Sequence, residues 1–281
     1  MTVRFSASRV WLWTTPLLVG GAAALVFGAG FALALRGTLG EPLGEKPPPP
    51  RREAVVPPPA GKGAVRILVL GDSLAKGTGD ETGKGFAVRV LESFRTKGPA
   101  ELTNLAVNGM ETPEVLAVVD TPNVRALARS ASLILLSAGG NDLSHGATSA
   151  GGPGRESAAD LPSAVAAARG RYVEGLRKIL EILRAENPTA PIVVVGLYDP
   201  FGTAESGVSA ENPSGVARLG ASVILEWNHL AQETALSFPN VFVVPTFDLF
   251  QGRADRLSAD RYHPNAEAYG EIAERMLQVV K

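Results

Sequence analysis

Apolar and polar positions divide the chain into three regimes. Residues 10–35 form a stretch of 26 without a single charge, bounded by Arg9 and Arg36. Residues 36–63 carry prolines in place of an apolar period, with Pro47 to Pro50 and Pro57 to Pro59 as two uninterrupted runs. From residue 64 onward, short apolar runs alternate with stretches of helical periodicity. The runs 65–70, 102–106, 133–137, 192–196 and 241–244 are rich in β-branched residues or leucine. Strands buried on both faces read this way. Between them, Tyr172, Val173, Leu176, Ile179, Leu180 and Leu183 fall on one helical face, and Asn187-Pro188 ends that helix. Tyr269, Ile272, Ala273, Met276, Leu277 and Val280 make a second such stripe near the C-terminus. Strands alternating with helices predict an α/β domain over 64–281: a five-stranded parallel sheet, right-handed crossovers and helices on both sides, in three layers.

The uncharged stretch has the length of a transmembrane helix. At about 1.5 Å per residue it spans roughly 39 Å, against a hydrocarbon core of ~30 Å. Trp11 and Trp13 stand at one end, where aromatic residues meet the interface. Pro16 and the glycines at 20, 21, 28 and 30 are tolerated in lipid. A cleaved signal peptide ending at Ala32-Leu33-Ala34 is the alternative, but the stretch exceeds the usual ~7–15 apolar residues. The layout expected is a short tail (1–9), an uncleaved single-pass anchor (10–35), a semi-rigid proline spacer (36–63) and the domain. A proline-motif docking site is the other reading of the spacer. Positive charges flank the span on both sides, so orientation follows from the layout instead: a short basic N-terminus and one span favour an extracytoplasmic domain.

Composition removes several classes of chemistry. The chain holds 27 Lys and Arg against 28 Asp and Glu and lacks basic runs interleaved with aromatics, which argues against nucleic-acid binding. It contains no cysteine, and only His145, His229 and His263 as histidines. Disulfides and thiol nucleophiles are excluded, and neither a metal site nor a cofactor is expected.

The chemistry-bearing residues should follow the C-terminal ends of strands, where open α/β sheets bind ligands. After the first strand comes Gly71-Asp72-Ser73-Leu74; after the second, Asn104 to Gly109; after the third, Gly139-Gly140-Asn141-Asp142; before the last helix, Asp260-Arg261-Tyr262-His263-Pro264. A serine needs a base to become a nucleophile. His263 is one, and Asp260 three residues earlier can reach its imidazole. Gly109 and Asn141 are donors suited to an oxyanion. Each block has a bland reading: Ser73 as a turn or helix cap, Gly109 as a loop end, Asn141-Asp142 as a turn. Asp199 and Asp248 also sit near strand ends but lack a neighbouring histidine. His145 is read as a loop residue, and His229 as packed or surface-exposed. The stretch 144–168, rich in glycine, alanine and serine, reads as a long connection and a candidate flap beside the site.

Together and in this order, the four blocks resemble the SGNH/GDSL hydrolases, over residues 71–263. The run Gly71 to Asp80 is most similar to membrane-anchored bacterial GDSL-type lipases and acylhydrolases. The resemblance implies a flavodoxin-like SGNH fold with Ser73, Asp260 and His263 catalytic, and with Ser73, Gly109 and Asn141 forming the oxyanion hole. It implies hydrolysis of carboxylic esters, either lipid acyl groups or O-acetyl groups on cell-wall glycans, through an acyl-enzyme. A thioesterase, or a non-catalytic glycan-binding module on the same scaffold, is the alternative. A Gly-x-Ser-x-Gly elbow is lacking, which disfavours the α/β-hydrolase plan.

Overall fold

The computed structural model describes residues 63–149, 160–200 and 215–280. The candidate anchor (10–35) and the proline spacer lie outside them, apart from Gly63. Among the described residues, no helix is long and apolar enough to cross a membrane.

Five parallel strands form the sheet: β1 (Val65–Leu70), β2 (Ala100–Asn104), β3 (Leu133–Ser137), β4 (Ile192–Val195) and β5 (Val241–Val244), in the order β2-β1-β3-β4-β5. Successive side chains point to opposite faces, so each strand feeds two cores. On one face Ile67, Val69, Leu133, Leu135, Val193 and Val195 pack beneath α2 (Gly85–Arg95) and α9 (Ala266–Val279). On the other, Leu68, Leu70, Ile134, Leu136, Ile192 and Val194 meet α3 (Thr112–Val119), α4 (Pro122–Ser130), α6 (Asp160–Glu186) and α7 (Gly215–Leu236). The three-layer arrangement read from the sequence is thus present. The tyrosine at the head of the α6 stripe, Tyr172, stacks on Trp227 of α7 with ring centroids 4.8 Å apart, and both rings are buried.

Some boundaries differ from the sequence reading. β2 begins two residues earlier and ends at Asn104, whose Oδ1 accepts the Ala106 N–H (3.0 Å) and turns the chain out of the strand. Two further bonds, Leu105 N–H to Val69 O and Val107 N–H to Gly71 O, keep the departing segment beside β1. The stretch 144–168 is not one open connection. Its start belongs to α5 (Gly140–Ser149) and its end to α6, with Ala168 buried in the second core; residues 150–159 of the candidate flap lie outside the described residues. Small residues leave no apolar stripe in α5, which is why the sequence pattern did not mark it as a helix.

The strand order places β1 and β3 side by side with their connections leaving in opposite directions, β1 toward β2 and β3 toward β4. The crevice at such a switch point is where these sheets bind ligands.

Candidate active site

Ser73 is the first residue of α1 (Ser73–Lys76), the short turn that follows β1. Gly71 makes the approach possible: at φ +127° it occupies backbone space that disfavours side chains, and a Cβ there would stand 2.1 Å from the Ser137 carbonyl oxygen. The capping role goes to Asp72, whose Oδ1 accepts the Leu74 N–H at 3.0 Å. Ser137, closing β3, accepts the N–H groups of Asp72 (3.1 Å) and Ala75 (3.2 Å) and donates its hydroxyl to Asp72 Oδ1 (2.5 Å). Burial raises the Asp72 carboxyl, while the bonds from Ser137 and Leu74 oppose that rise. The nucleophile turn is therefore bolted to β3 by a side chain 65 residues away, and Ser73 keeps its own hydroxyl free of capping duty.

That hydroxyl lies 2.9 Å from His263 Nε2, and His263 Nδ1 lies 2.6 Å from Asp260 Oδ2. With Nδ1–H donating to the carboxylate, Nε2 is left to accept the serine proton. Asp260 Oδ1 accepts from Ser258 Oγ (2.7 Å) and from the backbone N–H groups of Tyr262 and His263 (2.9 Å each). Desolvation raises the Asp260 carboxyl, but the bonds from His263, Ser258 and the two amides together outweigh it and hold it well below the usual carboxylate range.

The loop that carries this pair is closed on itself and tied down. Ser258 N–H donates to His263 O (2.8 Å), Asn265 N–H donates to Arg256 O (3.0 Å), and Leu257 and Pro264 form an antiparallel bridge. Arg256, buried, pairs with Glu267 (2.6 Å) and Glu271 (2.8 Å) of α9, and Tyr269 of the same helix donates to Thr78 O (2.8 Å). The last helix thus holds the histidine loop and the nucleophile turn against each other.

Asn141 and Gly109 meet through the residue between them in space, Met110. Asn141 Nδ2 donates one hydrogen to Met110 O (2.8 Å), and its second amide hydrogen remains for another acceptor. Gly109 has φ +79°, with nothing within 4 Å of where a Cβ would stand, so backbone conformation and not space requires glycine there. Asp142 completes the junction. Fully buried, its Oδ2 accepts both the N–H and the hydroxyl of Thr112 at 2.8 Å; burial raises its pKa, the Thr112 bonds oppose that, and Glu111 adds to the rise. The Asn-Asp pair thereby docks α5 onto the Gly109 loop, a role its reading as a turn did not contain.

His145 is on α5, not in a loop, and its Nδ1 lies 2.6 Å from Glu111 Oε1. His229 is exposed on α7 beside Glu233 (3.2 Å). Asp248 pairs with Arg275 of α9 (2.6 Å), and Asp199 is buried.

Residues 69–270 match the GDSL-like lipase/acylhydrolase family. The uncharacterized protein YpmR of Bacillus subtilis is 28% identical over 222 residues, covering 76% of this chain and 81% of that protein. Spore germination lipase LipC of Bacillus licheniformis is 28% identical over 211 residues, 74% of this chain and 92% of its own. Among solved structures, the lipase Lip_vut3 from a goat rumen metagenome superposes with a TM-score of 0.64 at 23% identity, over 76% of this chain and 97% of that one. By sequence match across most of its length and by a shared fold, the chain belongs to the GDSL-like lipase/acylhydrolase family of ester hydrolases.

Proposed function

We propose that the protein is a serine esterase that works through an acyl-enzyme, with Ser73 as nucleophile, His263 as base and acid, and Asp260 as the carboxylate that orients it. The unbroken contact from Ser73 Oγ through the imidazole to Asp260, 2.9 and 2.6 Å, carries this reading. Ser73 Oγ attacks the ester carbonyl carbon as its proton passes to His263 Nε2. The carbonyl electron pair moves onto oxygen, where the Ser73 and Gly109 N–H groups and the Asn141 amide receive it. Collapse breaks the bond to the alcohol, which takes the proton from Nε2 and leaves. Water then enters, gives a proton to Nε2, and releases the carboxylic acid by the same steps, restoring Ser73.

Residues 10–35 and the spacer support a tethered enzyme with its domain on the outer side of the membrane. There it would meet acyl lipids and O-acetylated wall glycans at high local concentration.

A fluorophosphonate probe tests the nucleophile directly. Stoichiometric phosphonylation of the peptide that contains Ser73, with parallel loss of p-nitrophenyl acetate hydrolysis, is the expected result. Hydrolysis that survives complete labelling of that peptide would remove Ser73 from the reaction. For the oxyanion site, Asn141→Ala is expected to lower kcat about 100- to 1000-fold with a smaller change in KM. A full-rate Asn141→Ala enzyme would leave Asn141 with a structural role alone.

A further inference from the structure

The segment that leaves the nucleophile turn comes back to touch the histidine loop. It runs from Gly77, which ends α1, to Gly85, which opens α2. Gly79, at φ +93°, lies against the histidine loop at three atoms. A Cβ there would stand 2.6 Å from His263 Cβ, 2.8 Å from the Pro264 carbonyl oxygen and 3.0 Å from Ser258 Oγ. Two of these neighbours serve the acid–base pair directly: His263 carries the imidazole, and Ser258 donates its hydroxyl to Asp260. Only a bare backbone can come this close.

Asp80, the next residue, stiffens that backbone. Its side chain is wholly buried, and each of its oxygens accepts twice. Oδ1 takes the Thr82 N–H (2.8 Å) and hydroxyl (2.6 Å); Oδ2 takes the Gly85 N–H (2.7 Å) and pairs with Arg89 of α2. Arg89 also donates to Gly85 O (2.8 Å), so carboxylate and guanidinium close on the same turn. The Asp80 N–H donates to Gly77 O (3.3 Å), and its carbonyl accepts from the Gly83 N–H (2.9 Å). Two further bonds tie the segment to α9: Glu81 Oε2 accepts the Ala266 N–H (3.2 Å), and Thr78 O accepts from Tyr269 (2.8 Å).

Resting on the serine-esterase reading, we propose that residues 77–85 buttress the catalytic base: Gly79 sets where His263 stands between Ser73 and Asp260, and Asp80 is the positioning residue that holds Gly79 in place. The contact falls on Cβ, from which the imidazole hangs. The ring must meet Ser73 Oγ at 2.9 Å and Asp260 Oδ2 at 2.6 Å at once, so a small shift of Cβ spoils one contact or the other. With Asp80 locking the segment from behind, a side chain at position 79 is accommodated by pushing the histidine loop away. Relaxing the 2.6 Å approach to an ordinary carbon–carbon separation of ~3.5–4.0 Å takes a shift of about 1 Å. A displacement of that size between reacting groups costs roughly 100-fold in rate.

Gly79→Ala and Gly83→Ala, made in the full chain, form a matched pair. Gly83 lies in the same segment at φ +69°, with nothing within 4 Å of where its Cβ would be, so alanine there brings backbone strain without the contact. On p-nitrophenyl acetate, Gly79→Ala is expected to lower kcat about 100-fold with KM within about threefold of wild type, and to slow fluorophosphonate labelling of Ser73 in parallel. Gly83→Ala is expected to lose stability in a thermal melt yet keep kcat within about twofold. Asp80→Asn replaces one carboxylate oxygen with an amide that can only donate, which strands either the Thr82 donors or those of Gly85 and Arg89. It is expected to lower kcat about 10-fold at unchanged KM, and it serves if Gly79→Ala does not fold. Equal kcat in the two alanine variants, a loss in Gly79→Ala that lies in KM alone, or wild-type kcat in Asp80→Asn where only that variant folds would overturn the buttress and leave the esterase reading intact. A folded wild-type protein inactive on every ester would overturn both.

Discussion

Ser73→Ala is expected to lower kcat for a short-chain ester on the order of 10⁶-fold, the loss seen when a serine hydrolase is deprived of its nucleophile. The protein should remain folded. The α1 turn is capped by Asp72 and tied to β3 by Ser137, and neither contact uses the Ser73 side chain. Alanine is also a good helix former. The expected change in stability is therefore below about 1 kcal/mol. Steady-state kinetics read beside a thermal melt separate the two effects. A variant with an unchanged melt and a rate within tenfold of wild type would show that ester cleavage proceeds at another residue.

The central strands β1, β3 and β4 were legible because both faces are covered and apolar residues run almost unbroken through them. The edge strand β2, Ala-Glu-Leu-Thr-Asn, mixes polar and apolar positions, so its start could be placed only by its pairing with β1. The α6 stripe was legible from Tyr172 onward, but its first turns are alanine-rich and gave no period to count. Ser73 was recognisable from its residue type and its place just after the first strand, and Asp260 and His263 from their three-residue spacing before the last helix. What fixes them was not. Ser137 holds the nucleophile turn from 65 residues away, Thr112 meets Asp142 across 30, and Tyr198 reaches the Tyr262 carbonyl across 64. These are contacts between segments distant in sequence that only the assembled fold brings together. Ser137 did leave one trace in the chain: it is the polar residue that closes an otherwise apolar β3, and a buried hydroxyl requires a partner.

Asp260→Asn is expected to lower kcat about 10⁴-fold with KM little changed, because it reverses the imidazole tautomer while sparing the loop. The amide oxygen can still accept from Ser258 and from the Tyr262 and His263 N–H groups, which now bond to Oδ1. The amide nitrogen would replace Oδ2, which faces His263 Nδ1 at 2.6 Å, and can only donate. Nδ1 must then accept, the proton moves to Nε2, and Nε2 can no longer take the proton of Ser73. The effect on stability has a definite sign with pH. A carboxylate held below its usual range contributes stability above its unfolded pKa, about 3.9, and loses that contribution only as pH falls through its lower folded value. Wild type should therefore hold its advantage over Asp260→Asn from neutral pH down to about 4, and the two melting curves should converge below that. A variant that loses less than tenfold in kcat while keeping the wild-type melt would show that the tautomer of His263 is set by another group. Equal melts for both proteins at every pH would show that the Asp260 carboxylate does not hold the loop.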